Sequence, residues 1–332
     1  AEVSTRAGPG ARIIDLAGRA VTPGFIDAHL HFLSGSLSLS EADLSGSTSP
    51  AMVQEQLRAY LASRPGGGWV LGRGWDHTSF PGEAYPTRQD LDAVSSTRPI
   101  VLEHTDGHLL WVNSEAMRLA KVTRKTRDPK GGSLVRDASG EPTGVLLENA
   151  MDLVSRRIPP PGKDRIKAAL REGLAMARSM GVTQVQGPLD LAPEAQLEAW
   201  RELDLEGQVT LRFFIWGDIE SPRDFRRLRK KFADLAPERF RFGGLKGFVD
   251  GVLSARTAAL LAPYADAPGT AGEPSYSPRK LRRLVRGAFP EFQASLHAIG
   301  DRAVRMTLDA CEGLAEDAAA ALGPALAHPC KI

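Results

Sequence analysis

Cysteine is nearly absent: the chain has two, Cys311 and Cys330, among 332 residues. Neither stands in a CxxC pair, and two cannot build a disulfide framework. An excess of charge of one sign is also lacking. Lys+Arg 42 against Asp+Glu 40 leaves +2, so no global field draws in nucleic acid or an anionic membrane. No apolar run reaches the roughly 18 residues a spanning helix needs. The start, AEVSTRAGPG, has no cationic end followed by an apolar core, and is not read as a signal peptide. No GxGxxG follows a strand, which disfavours an NAD(P)-linked fold. Together these absences predict a reducing, cytoplasmic setting, without nucleic-acid or membrane partners. What is present is globular: 42% hydrophobic and 25% charged residues argue against disorder. The length suits two domains or one large barrel.

No internal repeat is visible. Residues 12–17, RIIDLA, predict a strand closed by a turn at Gly18. Residues 21–31, VTPGFIDAHLH, predict a first long strand ending in two histidines. The next stretch carries Gly66-Gly67-Gly68, Phe80-Pro81-Gly82, Gly131-Gly132 and Pro159-Pro160-Pro161. It is too long for a loop, and residues 36–160 read as an inserted subdomain. Beyond Pro161 the rhythm is regular. Ile166, Leu170, Leu174 and Ala177 share a helical face, with Gly181 placed as the C-terminal cap. Strands are predicted at 182–186, 211–216, 244–250 and 293–297. Helices are predicted at 193–206, from Ser221-Pro222, at 278–288 and from Asp301. Strands alternating with helices argue a parallel α/β sheet. The missing phosphate loop favours a barrel over a doubly wound fold.

His29-Leu30-His31 is the sharpest chemical feature. Alternate residues of a strand share a face, so both imidazoles would point to the C-terminal mouth of a barrel, where active sites are built. Paired neutral imidazoles suit zinc; alone, an HxH is equally well two incidental histidines. Context favours the first reading. Lys246 interrupts an apolar strand, GLKGFVDG, where lysine is unusual, although a strand-edge lysine could reach solvent. His297 ends QASLH and could instead be satisfied in the core. His328, in ALAHP, reads by itself as a surface tail histidine. His29, His31, Lys246 and His297 at strand ends make a metal cluster.

VTPGFIDAHLHF resembles the first-strand signature of the amidohydrolase superfamily of metal-dependent hydrolases. GRGWDHTSFP, DLDAVSSTRPIVLEHTDGHLLWVNSEAM, GEPTGVLLENA, LKGFVDGVLSARTAALLAPYAD and LHAIGDRAVRMTLDA resemble its N-substituted formamide deformylase-like branch. The resemblance implies a distorted TIM-like barrel over residues 23–35 and 161–332. A small β-sandwich accompanies it, of which residues 1–22 are a remnant. It implies His29 and His31 as metal ligands, Lys246 as a lysine open to carboxylation, and His297 as the fifth-strand histidine. His328 stands at about the spacing of the sixth-strand histidine, but Ala327 replaces the usual acidic neighbour.

The implied activity is hydrolysis of a non-peptide C–N bond in a small-molecule amide. One or two zinc-type ions would activate water, with His297 or His328 at the oxyanion or the metal. The family also draws a proton-accepting aspartate from an eighth strand, and none is found before Ile332. The barrel is therefore expected to be incomplete at its C-terminus, with little hydrolase activity. The alternative is an inactive fragment retaining a partial metal site. Asp106-Gly107-His108 is expected to face substrate, and Asp250 to bond a ligand or replace the missing base. Arg256 is read as a substrate contact or a surface pair, and Trp75 and Trp111 as packing or pocket lining. His77 and His104 read as structural, and Cys311 as a core residue beside Val304 and Leu308. A homodimer is a possible assembly.

Overall fold

The computed structural model describes residues 10–12, 14–64, 66–129, 131–189, 192–253, 256–322 and 330–332, without the side chains of 313 and 315–322. The chain opens with β1 (Phe25–Asp27), α1 (Phe32–Ser38), β2 (Ala42–Asp43), α2 (Pro50–Ser63) and β3 (Val70–Trp75). It continues through α3 (Arg88–Asp92), β4 (Ile100–His104), β5 (Leu109–Val112), α4 (Ser114–Ala120), β6 (Gly132–Arg136), β7 (Pro142–Glu148) and α5 (Asp152–Ser155). Regular alternation follows: α6 (Lys163–Ser179), β8 (Val182–Pro188), α7 (Pro193–Leu205), β9 (Arg212–Asp218), α8 (Pro222–Lys231) and β10 (Phe240–Phe248). It ends with α9 (Pro278–Ala288), β11 (Gln293–His297), α10 (Asp301–Leu322) and β12 (Cys330–Lys331).

Two six-stranded sheets result. The first runs β1-β8-β9-β10-β11-β12, parallel throughout and in chain order. Each crossover lays a helix on the sheet, and the apolar stripes meet there: Ile166, Leu170 and Leu174 of α6, Leu197 and Trp200 of α7, and Leu281 and Val285 of α9 are all buried. Gly181 ends α6 with φ +73, the left-handed turn that a side chain would strain. α8 stops at Lys231, short of the apolar repeat at Phe232 and Leu235. Both are buried all the same, because the chain after α8 folds back on the core.

The second sheet runs β2-β3-β4-β5-β7-β6, parallel at its β2 end and antiparallel from β4 onward. It is covered on both faces, with Leu102, Trp111 and Val145 packed on one side and Val101, Leu110 and Leu146 on the other. No helix among the described residues is long and apolar enough to cross a membrane.

Two expectations need correction. Residues 12–17 form no strand where they are described, all of those except Leu16 are exposed, and no described strand pairs with them. Cys311 and Cys330 are joined in a disulfide, with Cα atoms 6.2 Å apart. β12 docks on β11 and brings Cys330 to the half-buried Cys311 on α10, so cysteine usage no longer argues for a reducing compartment.

Candidate metal cup and substrate cavity

β1 is only three residues long, and the paired histidines lie beyond it, not within a long strand. The cause is local: the Asp27 carboxylate accepts the His29 N–H at 3.0 Å, a side-chain turn that ends the extended run. The next N–H, of Leu30, donates to the Gln186 carbonyl at 2.9 Å and keeps the chain on β8. His31 then stands at the N-terminal boundary of α1. The two rings lie 5.7 Å apart, tilted by 30°, on a surface open to solvent. Gly187 makes this approach possible, since a Cβ there would run into the Leu30 carbonyl.

Lys246 is 5% exposed, and its Nζ lies 3.3 Å from His29 Nε2. Its other neighbours are aromatic faces, Phe248 at 5.1 Å and Trp216 at 5.9 Å. Burial, and then the Lys331 ammonium, pull the Lys246 pKa down. Burial, and then Lys246, lower that of His29. Both shifts disfavour the charged forms of these two groups. Trp216 also packs on His29, ring centroids 5.2 Å apart, and its buried indole N–H has no hydrogen-bond partner among the described residues.

His297 ends β11 opposite Phe248. Its Nε2 donates to the Gly251 carbonyl at 3.0 Å, which leaves Nδ1 with the lone pair. Lys331 was not foreseen. Its Nζ donates to the Ala28 carbonyl and to Gln186 Oε1 (3.2 Å) and lies 4.7 Å from the Trp216 ring centre. A lysine on a short edge strand gives no signal in sequence. His328 lies outside the described residues.

Of the other anticipated site residues, Asp106 lines the cavity between the two sheets, and the rest are engaged elsewhere. Asp250 is 3% exposed and accepts three backbone N–H groups, from Ala259 (2.8 Å), Ile299 (3.0 Å) and Gly300 (2.8 Å). It therefore ties together the loops after β10 and β11 instead of facing a reactant. Trp75 is fully buried and donates its indole N–H to the Leu102 carbonyl at 3.0 Å, so it packs the second sheet. Trp111 is buried likewise, bonded to the Thr87 carbonyl at 2.8 Å. Arg256 pairs with Asp266 at 3.0 Å on the surface. His108 is held by Glu148 at 3.0 Å, while Asp106 receives the His108 N–H at 2.9 Å and a His104 ring contact at 2.8 Å.

A cavity of about 850 Å³ opens between the two sheets. His29 and His31 form one side; Arg73, Glu103 and Asp106 face them, and Pro159 to Pro161 form part of the wall. Burial raises the carboxyl pKa of both Glu41 and Glu103 along this lining. Asp76, His77 and His104 form a second gathering of ligand-type groups, with one ligand atom from each within 4.8 Å of the others. Among the described residues, the histidines of the cup do not reach that mutual spacing.

The amidohydrolase family pattern matches residues 12–328. The chain is 32% identical to YtcJ of Bacillus subtilis (strain 168), which carries an amidohydrolase name, over 92% of this chain and 58% of that protein. It is 29% identical to the N-substituted formamide deformylase of Arthrobacter pascens, over 94% of this chain and 59% of that enzyme. Among solved structures it resembles an uncharacterized metal-dependent hydrolase of Pyrococcus horikoshii OT3, with TM-score 0.70 and 26% identity, over 95% of this chain and 60% of that one. The chain thus spans somewhat under two thirds of the length of these relatives.

Proposed function

Because this chain belongs to the amidohydrolase family, we propose that its cup and cavity hydrolyse a non-peptide carbon–nitrogen bond in a small-molecule amide of the N-substituted formamide type. One observation carries the reading: a buried lysine amine touches His29 of the HxH pair and has no ion-pair partner among the described residues. The donor set fits a borderline divalent ion such as zinc. His29, His31, His297 through Nδ1, and Lys246 would hold one or two ions. Lys246 becomes an oxygen donor if its neutral amine takes up carbon dioxide. The Trp216 ring, its centre 5.9 Å from that amine, forms one wall of the pocket in which a carbamate would sit.

When bound, the metal supplies Lewis-acid polarisation of a carbonyl and acidifies water. The chain's own residues do the rest. Asp27 and Gly187 fix the backbone that presents His29 and His31. Asp250 clamps the two loops at the His297 end. The second sheet forms the facing side of the cavity, and Asp106, beyond β4, offers it a carboxylate. The closed barrel of the family and the β-sandwich belong to the same proposal. Nothing in the geometry favours an inactive remnant.

The zinc-loaded chain should release amine from N-substituted formamides, and His29→Ala should reduce that rate by about 10²-fold or more. Independently of turnover, labelled bicarbonate should give a carbamate carbon resonance that Lys246→Arg abolishes. Absence of both signals would refute the reading.

A further inference from the structure

The strongest cluster outside the cup lies where β3 and β4 end. These neighbours are parallel, and Trp75 pairs with His104 across a register shift that follows Arg73. Carboxyl ends of parallel strands are where α/β sheets place ligands, and an irregularity of this kind re-aims the side chains after it. Three potential ligands converge there. The His77 Nδ1 to His104 Nε2 distance is 3.3 Å, and His104 Nε2 lies 3.4 Å from Asp76 Oδ1.

From these contacts we propose that Asp76, His77 and His104 form a second divalent transition-metal site, of the zinc class, separate from the His29–His31 cup. It requires no hydrolase activity of the chain. Three features support it. With metal–ligand bonds of about 2.0–2.1 Å, the edge of a tetrahedron is about 3.3 Å, and both observed separations match that edge. A carboxylate also fixes the tautomer: Asp106 Oδ1, 2.8 Å from His104 Nδ1, accepts the Nδ1–H hydrogen bond, leaving the Nε2 lone pair aimed at His77 and Asp76. Finally, the ligands are held before any ion arrives. His104 is 6% exposed and sits edge-on to Trp75, ring centroids 4.8 Å apart. His77 packs against Tyr85, ring centroids 4.4 Å apart and tilted by 30°, and Thr78 holds the Asp76 carboxylate through its N–H (2.9 Å) and hydroxyl (2.7 Å).

Two imidazoles and one carboxylate leave a fourth tetrahedral position to water or a ligand. His104 and Asp106 line the cavity shared with His29 and His31, so the site borders that cavity.

The test uses the full chain in a His29→Ala/His31→Ala background, which removes two exposed ligands of the cup. After equilibrium dialysis against zinc, this variant should retain one equivalent, and with cobalt it should show the intense visible absorption of a tetrahedral site. Adding His77→Ala should remove both signals. Asp106→Asn should weaken zinc binding about 10–100-fold, because the tautomer lock is lost without a ligand being removed. His104 is buried and its replacement could unfold the sheet, so the half-buried His77 carries the test, with circular dichroism confirming a folded chain. No equivalent in the folded background variant, or an equivalent that survives His77→Ala, overturns the proposal.

Discussion

Replacing Asp250 distinguishes a clamp from a catalytic group. The carboxylate takes Ala259 N–H and Gly300 N–H on Oδ2 and Ile299 N–H on Oδ1, each at 2.8–3.0 Å. Asp250→Ala leaves three N–H groups without their acceptor. A buried donor left unsatisfied costs about 1–3 kcal/mol, and neighbouring losses add incompletely, so the total should be about 3–6 kcal/mol. That is a large share of a stability of about 5–15 kcal/mol. Asp250→Asn can keep its carbonyl oxygen where Oδ2 lies and retain two of the bonds, while its amide faces the Ile299 N–H; about 1–3 kcal/mol should be lost. Urea denaturation followed by circular dichroism reads the order wild type, Asn, Ala. Hydrogen exchange should quicken at residues 259, 299 and 300 before it does elsewhere. An alanine variant within about 0.5 kcal/mol of wild type, or an asparagine variant no better than alanine, would refute the clamp. Unchanged stability with lost turnover would return Asp250 to the chemistry.

Two further outcomes follow from packing and charge. Hydrogen bonds from Lys163 and Lys167 hold Glu202 down to about 2 from an ordinary 4.5. A depressed carboxylate stabilises the fold above its unfolded pKa and loses that contribution as pH falls. Melting temperature should therefore drop more between pH 4.5 and about 2 in wild type than in Glu202→Gln, and parallel curves would contradict the link. Gly187→Ala pushes a methyl against the Leu30 carbonyl between the two cup histidines. It should cost about 1–3 kcal/mol by urea titration and weaken zinc binding at the cup, while both histidines remain; unchanged binding would show that the bend is not held by β8.

The alternating half of the chain was readable because period and punctuation agree. Pro193 and Pro222 start helices, Gly181 ends one, 182–186 and 293–297 fall within β8 and β11, and 211–216 overlaps β9 from Arg212 onward. The HxH pair was readable as residues but not as backbone, since a side-chain turn from Asp27 outweighs the strand propensity of the apolar run. Trp75, Arg256 and Asp250 carry motif signals but are claimed by Leu102, Asp266 and three backbone amides. Those partners lie up to 50 residues away, and spacing does not reveal them. His77 and His104 read as structural for the same reason: the pairing of β3 with β4 brings them together across 27 residues. Lys331 left no trace in the sequence pattern.

Pro159, Pro160 and Pro161 give the cavity a wall that can accept but never donate. With no N–H groups and locked φ angles, this segment cannot add itself to a sheet edge or swing freely across the opening. A molecule lying against it meets carbonyl oxygens and ring methylenes, so it is selected by its outline and by the donors it carries. Arg73 and Arg165, elsewhere on the lining, supply the donors that the prolines withhold. A ligand with a donor-bearing end and an acceptor-bearing end would therefore settle in one orientation, even before any contact with the histidines.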